Sequence, residues 1–165
     1  MVGLGNPGNE YEHTRHNVGR EFLLECADNL PAKAKIVTPD TFMNKSGTAV
    51  KPLIKSVKAA ERLVVLHDDL DLPLGTVKIS FGRGSAGHKG VESIERAVKT
   101  KNYIRIRIGI SAEKKGGAVK KPDVLGKFKP SEEAELKKAK KNVKEGLEIL
   151  MTEGLGKAMT AINGR

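Results

Sequence analysis

Between Ile104 and Ile110 isoleucine occupies every second position, with Arg105 and Arg107 in two of the gaps. Alternate residues of a β-strand point to opposite faces, so this run predicts a strand with one buried and one basic face. β-branched side chains favour the extended backbone as well. Four isoleucines buried on one face require paired strands on the flanks and an apolar layer packed above them.

The rest of the chain offers both. Met1–Leu4, Lys35–Thr38, Arg62–Leu66 and Thr76–Phe81 read as further strands, the third stopping at His67. Helical spacing runs from Arg20 to Leu30, where Pro31 ends it, then from Gly47 to Val57 and from Val91 to Val98. A long helix begins near Ser131, its cap, with Glu132 and Glu133 at its positive end. It turns Leu136, Ala139, Val143, Leu147 and Leu150 inward, and Gly154 separates it from a last short helix. Residues 113–130, rich in Lys, Gly and Pro, read as a mobile loop. Strands interleaved with helices give an α/β class, and 165 residues without repeat or linker give a single domain, 1–165.

Cys26 is the only cysteine, which excludes a disulfide framework and a Cys-based zinc site. No apolar run approaches the roughly 20 residues of a membrane span. No signal-peptide core opens the chain, so a cytoplasmic protein without membrane contact is expected. The net charge of +10 is uneven. Residues 1–75 carry 9 basic and 10 acidic groups, residues 76–107 carry 8 and 2, and residues 108–165 carry 13 and 8. An excess confined to the middle and tail suits a polyanionic partner, although lysines also serve solubility. Six aromatic residues and no Trp give no base-stacking platform, so a surface that tracks phosphates is expected.

Candidate chemistry is scattered. Gly3-Leu-Gly5-Asn-Pro-Gly8 has the G-x-G-x-x-G spacing after a strand, but no helix follows directly, and Glu10 and Glu12 would oppose a pyrophosphate. A tight turn is the better reading. His16, read alone, is a cap or surface residue ahead of a helix. His67-Asp68-Asp69 follows a buried strand, where α/β folds place catalytic groups, though Asp68 and Asp69 also suit a turn. An aspartate there beside a histidine from elsewhere would make an oriented general base. His13 reads as a surface residue and His88 as part of a helix-start loop. No H-x-x-x-H spacing supports zinc, and no G-x-S-x-G elbow supports a serine hydrolase. Asn6 and Asn44 offer neutral amides suited to a carbonyl.

Taken in order, the motifs are specific. They are Val2-Gly-Leu-Gly-Asn-Pro-Gly8, Thr14-Arg-His-Asn-Val-Gly19, Pro39-Asp-Thr-Phe-Met-Asn-Lys-Ser-Gly47, His67-Asp-Asp-Leu-Asp-Leu-Pro73, Gly87-His-Lys-Gly90, Arg105-Ile-Arg-Ile-Gly109 and Val124-Leu-Gly-Lys-Phe128. Across its length the chain resembles the bacterial-type peptidyl-tRNA hydrolases. The resemblance implies a mixed twisted sheet flanked by helices. It makes His16 the general base, Asp68 its orienting partner and Asn6 a contact to the peptide. Tyr11, Phe42, Met43 and Asn44 would line the substrate site, and Arg107 would hold the tRNA 5′ phosphate.

Three departures accompany the resemblance. Lys89 stands where the family has an asparagine. Ser80 stands where it has a second phosphate-binding lysine, leaving Lys78 and Arg83 as substitutes. The region after the first helix is about 20 residues shorter than usual in the family, and the first strand starts several residues short. The activity implied is hydrolysis of the ester joining peptide to tRNA, without metal or organic cofactor. Contacts would run to acceptor-stem phosphates and the 3′ end, and the protein would act as a monomer. The rival readings are a non-catalytic RNA-binding relative and a nucleotide-dependent Rossmann enzyme.

Overall fold

The computed structural model describes residues 1–113 and 118–165. Its strands are β1 (Val2–Gly3), β2 (Val64–Pro73), β3 (Val77–Phe81), β4 (Ile104–Glu113) and β5 (Val119–Lys120). They lie in the order β1-β2-β4-β3, with β5 paired to the far end of β4. β2 is parallel to both β1 and β4, whereas β3 and β5 run antiparallel to β4, so the sheet is mixed, as the resemblance implied.

The helices are α1 (Val18–Cys26), α2 (Ser46–Val50), α3 (Val57–Ala60), α4 (Lys89–Val98), α5 (Glu133–Thr152) and α6 (Leu155–Asn163). All four isoleucines of β4 enter a core with Phe22 and Leu23 of α1, Val77 and Ile79 of β3, Val143 and Leu147 of α5 and Ile162 of α6. A second core on the other face joins Leu4, Val65 and Tyr103 to Val50 of α2 and Val91 and Ile94 of α4. Apolar layers thus cover both faces, as the parallel β1-β2-β4 part of the sheet requires. The second layer corrects the expected basic face of β4. Arg105 is only 3% exposed and donates to the Gly84 carbonyl at 2.8 Å.

Other boundaries also differ. The strand expected to stop at His67 continues to Pro73, because His67, Asp68 and Asp69 keep their register against Arg107, Ile108 and Gly109. The single helix expected over Gly47–Val57 divides into α2, one 3-10 turn at Lys51–Leu53 and α3. Pro52 has no N–H with which to continue the ladder. The short strand at Lys35–Thr38 reduces to Val37, whose N–H and C=O pair with Met1 and Gly3. Ser131 does not cap the long helix. A 3-10 turn, Pro130–Glu132, precedes α5, and the Glu132 carboxylate accepts from the Lys129 N–H at 2.7 Å. Part of the expected loop lies at 114–117, outside the described residues, while Val119–Lys120 forms β5.

One close approach positions the functional groups. A Cβ on Gly19 would lie 2.3 Å from the Leu66 carbonyl oxygen and 2.9 Å from the His67 Cα. The start of α1 therefore rests on the backbone of β2, which brings His16, just ahead of the helix, to Asp68. Gly19→Ala should force helix and strand apart and destabilise the protein by about 1–3 kcal/mol, the usual cost of overpacking. Urea denaturation measures this; an unchanged midpoint would show that the contact is not restrictive.

Candidate active site

Asp68 lies in β2, 3% exposed, with its Oδ1 2.9 Å from His16 Nδ1 and 2.8 Å from His88 Nε2. His88 is also the N-cap of α4, and its Nδ1 faces the backbone N–H groups of Gly90 at 3.1 Å and Val91 at 3.3 Å. A ring nitrogen that accepts from N–H carries no proton. The His88 proton is therefore on Nε2, donated to Asp68. An ionised Asp68 only accepts, so His16 must donate from Nδ1. Its Nε2 then carries the lone pair and has no protein partner among the described residues, and His16 lines the cleft.

The cleft has a volume of about 190 Å³ and is lined by His16, His67, Asp68, His88, Lys89 and Val124, among others. The imidazoles pack together, with ring centres 4.9 Å apart for His16–His88 and 4.8 Å for His67–His88. Burial alone would push the Asp68 carboxyl up. The facing His88 and the hydrogen bonds from His16 and His88 outweigh burial and hold Asp68 well below the usual carboxylate range. His67 is driven the other way. Burial, with the nearby His88 and Arg105, keeps it neutral far below the ordinary imidazole value. Its Nδ1 lies 2.7 Å from the Asp68 carbonyl oxygen, and its Nε2 is buried without a partner among the described residues.

The other sequence candidates fall into three groups. Asn6 and Met43 are joined, since Asn6 Oδ1 accepts from the Met43 N–H at 2.8 Å. Asn6 is held from behind by Asn17, which donates to its carbonyl at 2.9 Å and accepts from its N–H at 2.8 Å. A Cβ on Gly90 would touch both Met43 Sδ and His88 Cε1, which places Met43 beside the His88 cap. Tyr11 and Phe42 meet edge to face at 6.2 Å, with Phe42 exposed, and Asn44 is exposed next to buried Met43.

The basic candidates do not form one cluster. Arg107 is tied through Nε to Asp69 at 2.7 Å. Lys89 is exposed at the cleft, 3.3 Å from Glu92, and Arg83 is exposed in the loop before His88. Lys78 is corrected. Its ammonium donates to the Asn163 carbonyl at the end of α6, where helix carbonyls lack intrahelical partners and attract a cation. The sequence reading missed the part played by His88. Its place at a helix start was visible, but its contact with Asp68, 20 residues earlier in the chain, follows no local spacing.

His16, Asp68 and His88 are the residue types that can hold a metal ion, and their ligand atoms lie within 4.8 Å of one another. A metal on His88 Nε2 would move the proton to Nδ1, against the two N–H groups it caps. The internal hydrogen bonds therefore fit these residues better than a metal does. The dinucleotide reading is overturned, because Gly3–Gly8 leads into a 3-10 turn, Asn9–Tyr11, and not into a helix N-terminus.

A family model described as peptidyl-tRNA hydrolase matches residues 1–165. A peptidyl-tRNA hydrolase of Syntrophomonas wolfei is 39% identical over 183 residues, covering 99% of this chain and 98% of that protein. One from Aquifex aeolicus is 42% identical over 153 residues, covering 81% of this chain and 79% of its own. The crystal structure of peptidyl-tRNA hydrolase from Acinetobacter baumannii superposes with a TM-score of 0.80 at 30% identity, covering 98% of this chain and 92% of that one. The endopeptidase HycI from Escherichia coli shares the fold alone, with a TM-score of 0.53 at 13% identity.

The depressed Asp68 carboxyl makes a testable statement about stability. Its folded value lies below the unfolded value near 3.9, so its stabilising contribution is complete above about pH 4 and is lost as pH falls from there towards the folded value. As pH falls below about 4, wild type should lose stability more steeply than Asp68→Asn. Denaturant titrations across this range measure the difference; parallel curves would mean that Asp68 is not held in its charged form.

Proposed function

Because the chain belongs to the peptidyl-tRNA hydrolase family and hydrolyses peptidyl-tRNA, we propose that His16 is the general base of the reaction and Asp68 the group that orients it. The observation that carries this reading is the pair of hydrogen bonds to Asp68 Oδ1, which leaves the lone pair on Nε2 of His16, a residue that lines the cleft. A water at Nε2 gives up a proton as its oxygen attacks the carbonyl carbon of the ester. The tetrahedral intermediate then collapses and the bond to the ribose oxygen breaks. His16 returns the proton to that oxygen, releasing the tRNA and the peptide acid, which loses its remaining proton to solvent. Asp68 fixes the Nδ1–H tautomer and stabilises the imidazolium as it forms, a division of labour that contributes roughly 10²–10⁴-fold.

The remaining polar groups have distinct tasks in this reading. Asn6 keeps its side-chain N–H₂ free of protein acceptors among the described residues and donates to the peptide or to the developing oxyanion. Asn44 extends the same polar edge, and Tyr11, Phe42 and Met43 form the apolar wall for the peptide. On the tRNA side, Arg107 offers the guanidinium nitrogens that Asp69 leaves unused, with Lys89 and Arg83 as further phosphate ligands. Phosphate contacts carry little sequence information, which suits an enzyme that must accept many tRNAs. We assign the activity to a monomer with one domain, 1–165, acting in the cytoplasm; none of the described helices is long and apolar enough to cross a membrane. The comparisons lend no support to a non-catalytic relative.

His16→Ala should lower the single-turnover rate on a blocked aminoacyl-tRNA by about 10²-fold or more while leaving tRNA affinity intact. Rapid-quench kinetics and a filter-binding assay report the two quantities. A variant keeping a tenth or more of the rate, in the sense of about one order of magnitude, removes His16 from the base role.

A further inference from the structure

Arg15, the neighbour of His16, is charged and yet only 6% exposed. Its Nη2 donates to both oxygens of Glu132, at 2.9 and 2.7 Å, and its Nη1 donates to the Ile110 carbonyl at 3.3 Å. The guanidinium carbon lies 4.6 Å from the centre of the Phe128 ring. The backbone around Arg15 is held by the same segment. The Arg15 N–H donates to the Gly126 carbonyl at 3.0 Å, the His16 N–H donates to the Val124 carbonyl at 2.8 Å, and Thr14 bridges Lys127 in antiparallel fashion. Residues 124–128 therefore form a strap alongside 14–16, and its Val124 side chain reaches the cleft.

Glu132 belongs to the turn that starts α5 and accepts from the Lys129 N–H as well. Burial pushes its carboxyl up, but the bonds from Arg15 and Lys129 outweigh that and bring it below its ordinary value. One ion pair thus connects the start of a core helix, the strap and the turn that carries His16. The strap follows β5 and is held to 14–16 by two backbone hydrogen bonds and one isolated bridge, a short ladder to which the Arg15 side chain adds its contacts.

We infer that Arg15 and Glu132 are positioning residues for the hydrolysis: their ion pair, covered by Phe128, latches the Val124–Phe128 strap in place, and the strap fixes the backbone of His16. The inference rests on reading His16 as the base. Asp68 fixes the ring at Nδ1, and the strap fixes the peptide unit from which the ring projects. A base needs both, because Nε2 must meet a water already aligned on the ester, and displacement by about 1 Å can cost up to 10²-fold. Arg suits the latch where Lys would not, since its rigid planar guanidinium sends Nη2 to the Glu132 carboxylate and Nη1 to the Ile110 carbonyl while its face lies on Phe128, which sets orientation as well as distance.

Glu132→Gln keeps the shape of the latch and removes its charge; Arg15→Lys keeps the charge and removes the fork. Glu132→Gln should lower kcat on a blocked aminoacyl-tRNA roughly tenfold with KM changed less than about twofold, as expected for lost alignment. Amide hydrogen exchange at Arg15 and His16 should accelerate by about tenfold or more while β4 amides keep their protection. Arg15→Lys should fall between the two in both measurements and serves alone if Glu132→Gln does not fold. On a His16→Ala background, Glu132→Gln should cost nothing further, because the two changes act through one group. A full kcat in either latch variant would overturn the inference, as would equal losses on both backgrounds or a kcat loss matched by lost protection in β4. A wild-type rate in His16→Ala itself would instead remove the base assignment, and the inference with it.

Discussion

One carboxylate oxygen, Asp68 Oδ1, accepts hydrogen bonds from two imidazoles that come from separate elements of the fold. A buried charge is costly unless it is paired and hydrogen-bonded, and here both partners reach it only through the fold. His16 arrives because α1 starts on the bare backbone of Gly19, against Leu66 and His67. His88 arrives because it caps α4, so the lone pair that secures the helix dictates which nitrogen faces Asp68. Helix capping and catalytic tautomer are therefore a single constraint. The strap held by Arg15 and Glu132 adds the backbone restraint that Asp68 cannot supply.

The charge distribution takes on a different meaning once it is folded. Basic residues are concentrated after position 75, but not all of that charge is available to a polyanion. Arg105 is enclosed beneath the α4 layer and holds the Gly84 carbonyl, and Lys78 serves the end of α6. Among the described residues, Lys89 and Lys121 line the cleft, with Arg83 in the adjoining loop and the outer edge of Arg107 beyond Asp69. This smaller set still separates the work. On the proposed assignment, the motifs of the near-neutral first half carry the base and the peptide contacts, and the later segments carry the phosphate contacts.

The parts of the fold set by local periodicity were legible in the sequence. The isoleucine alternation located β4, and the spacing of Ala139, Val143 and Leu147 located the buried face of α5. Reading stopped where tertiary contacts overrode local preference. His67-Asp68-Asp69 resembles a turn, yet pairing with β4 keeps it extended. Ser131 resembles a cap, yet Glu132 does that work from three residues beyond Lys129. At the site, the motifs singled out His16 and Asp68, but His88 and Arg15 stayed hidden. A histidine in a glycine-rich loop and an arginine in a polar run look solvated until Asp68 and Glu132 are brought to them.

The central claim concerns proton positions, and ¹⁵N-resolved NMR of the histidine side chains reads these directly. In wild type near neutral pH, His16 should carry its proton on Nδ1 and His88 on Nε2, each hydrogen-bonded and slow to exchange with water. Asp68→Asn should weaken both signals together, because one acceptor serves both rings. A His88 proton on Nδ1, or a His16 proton on Nε2 in the folded wild-type protein, would contradict the account, since the base would then have no lone pair to offer the water.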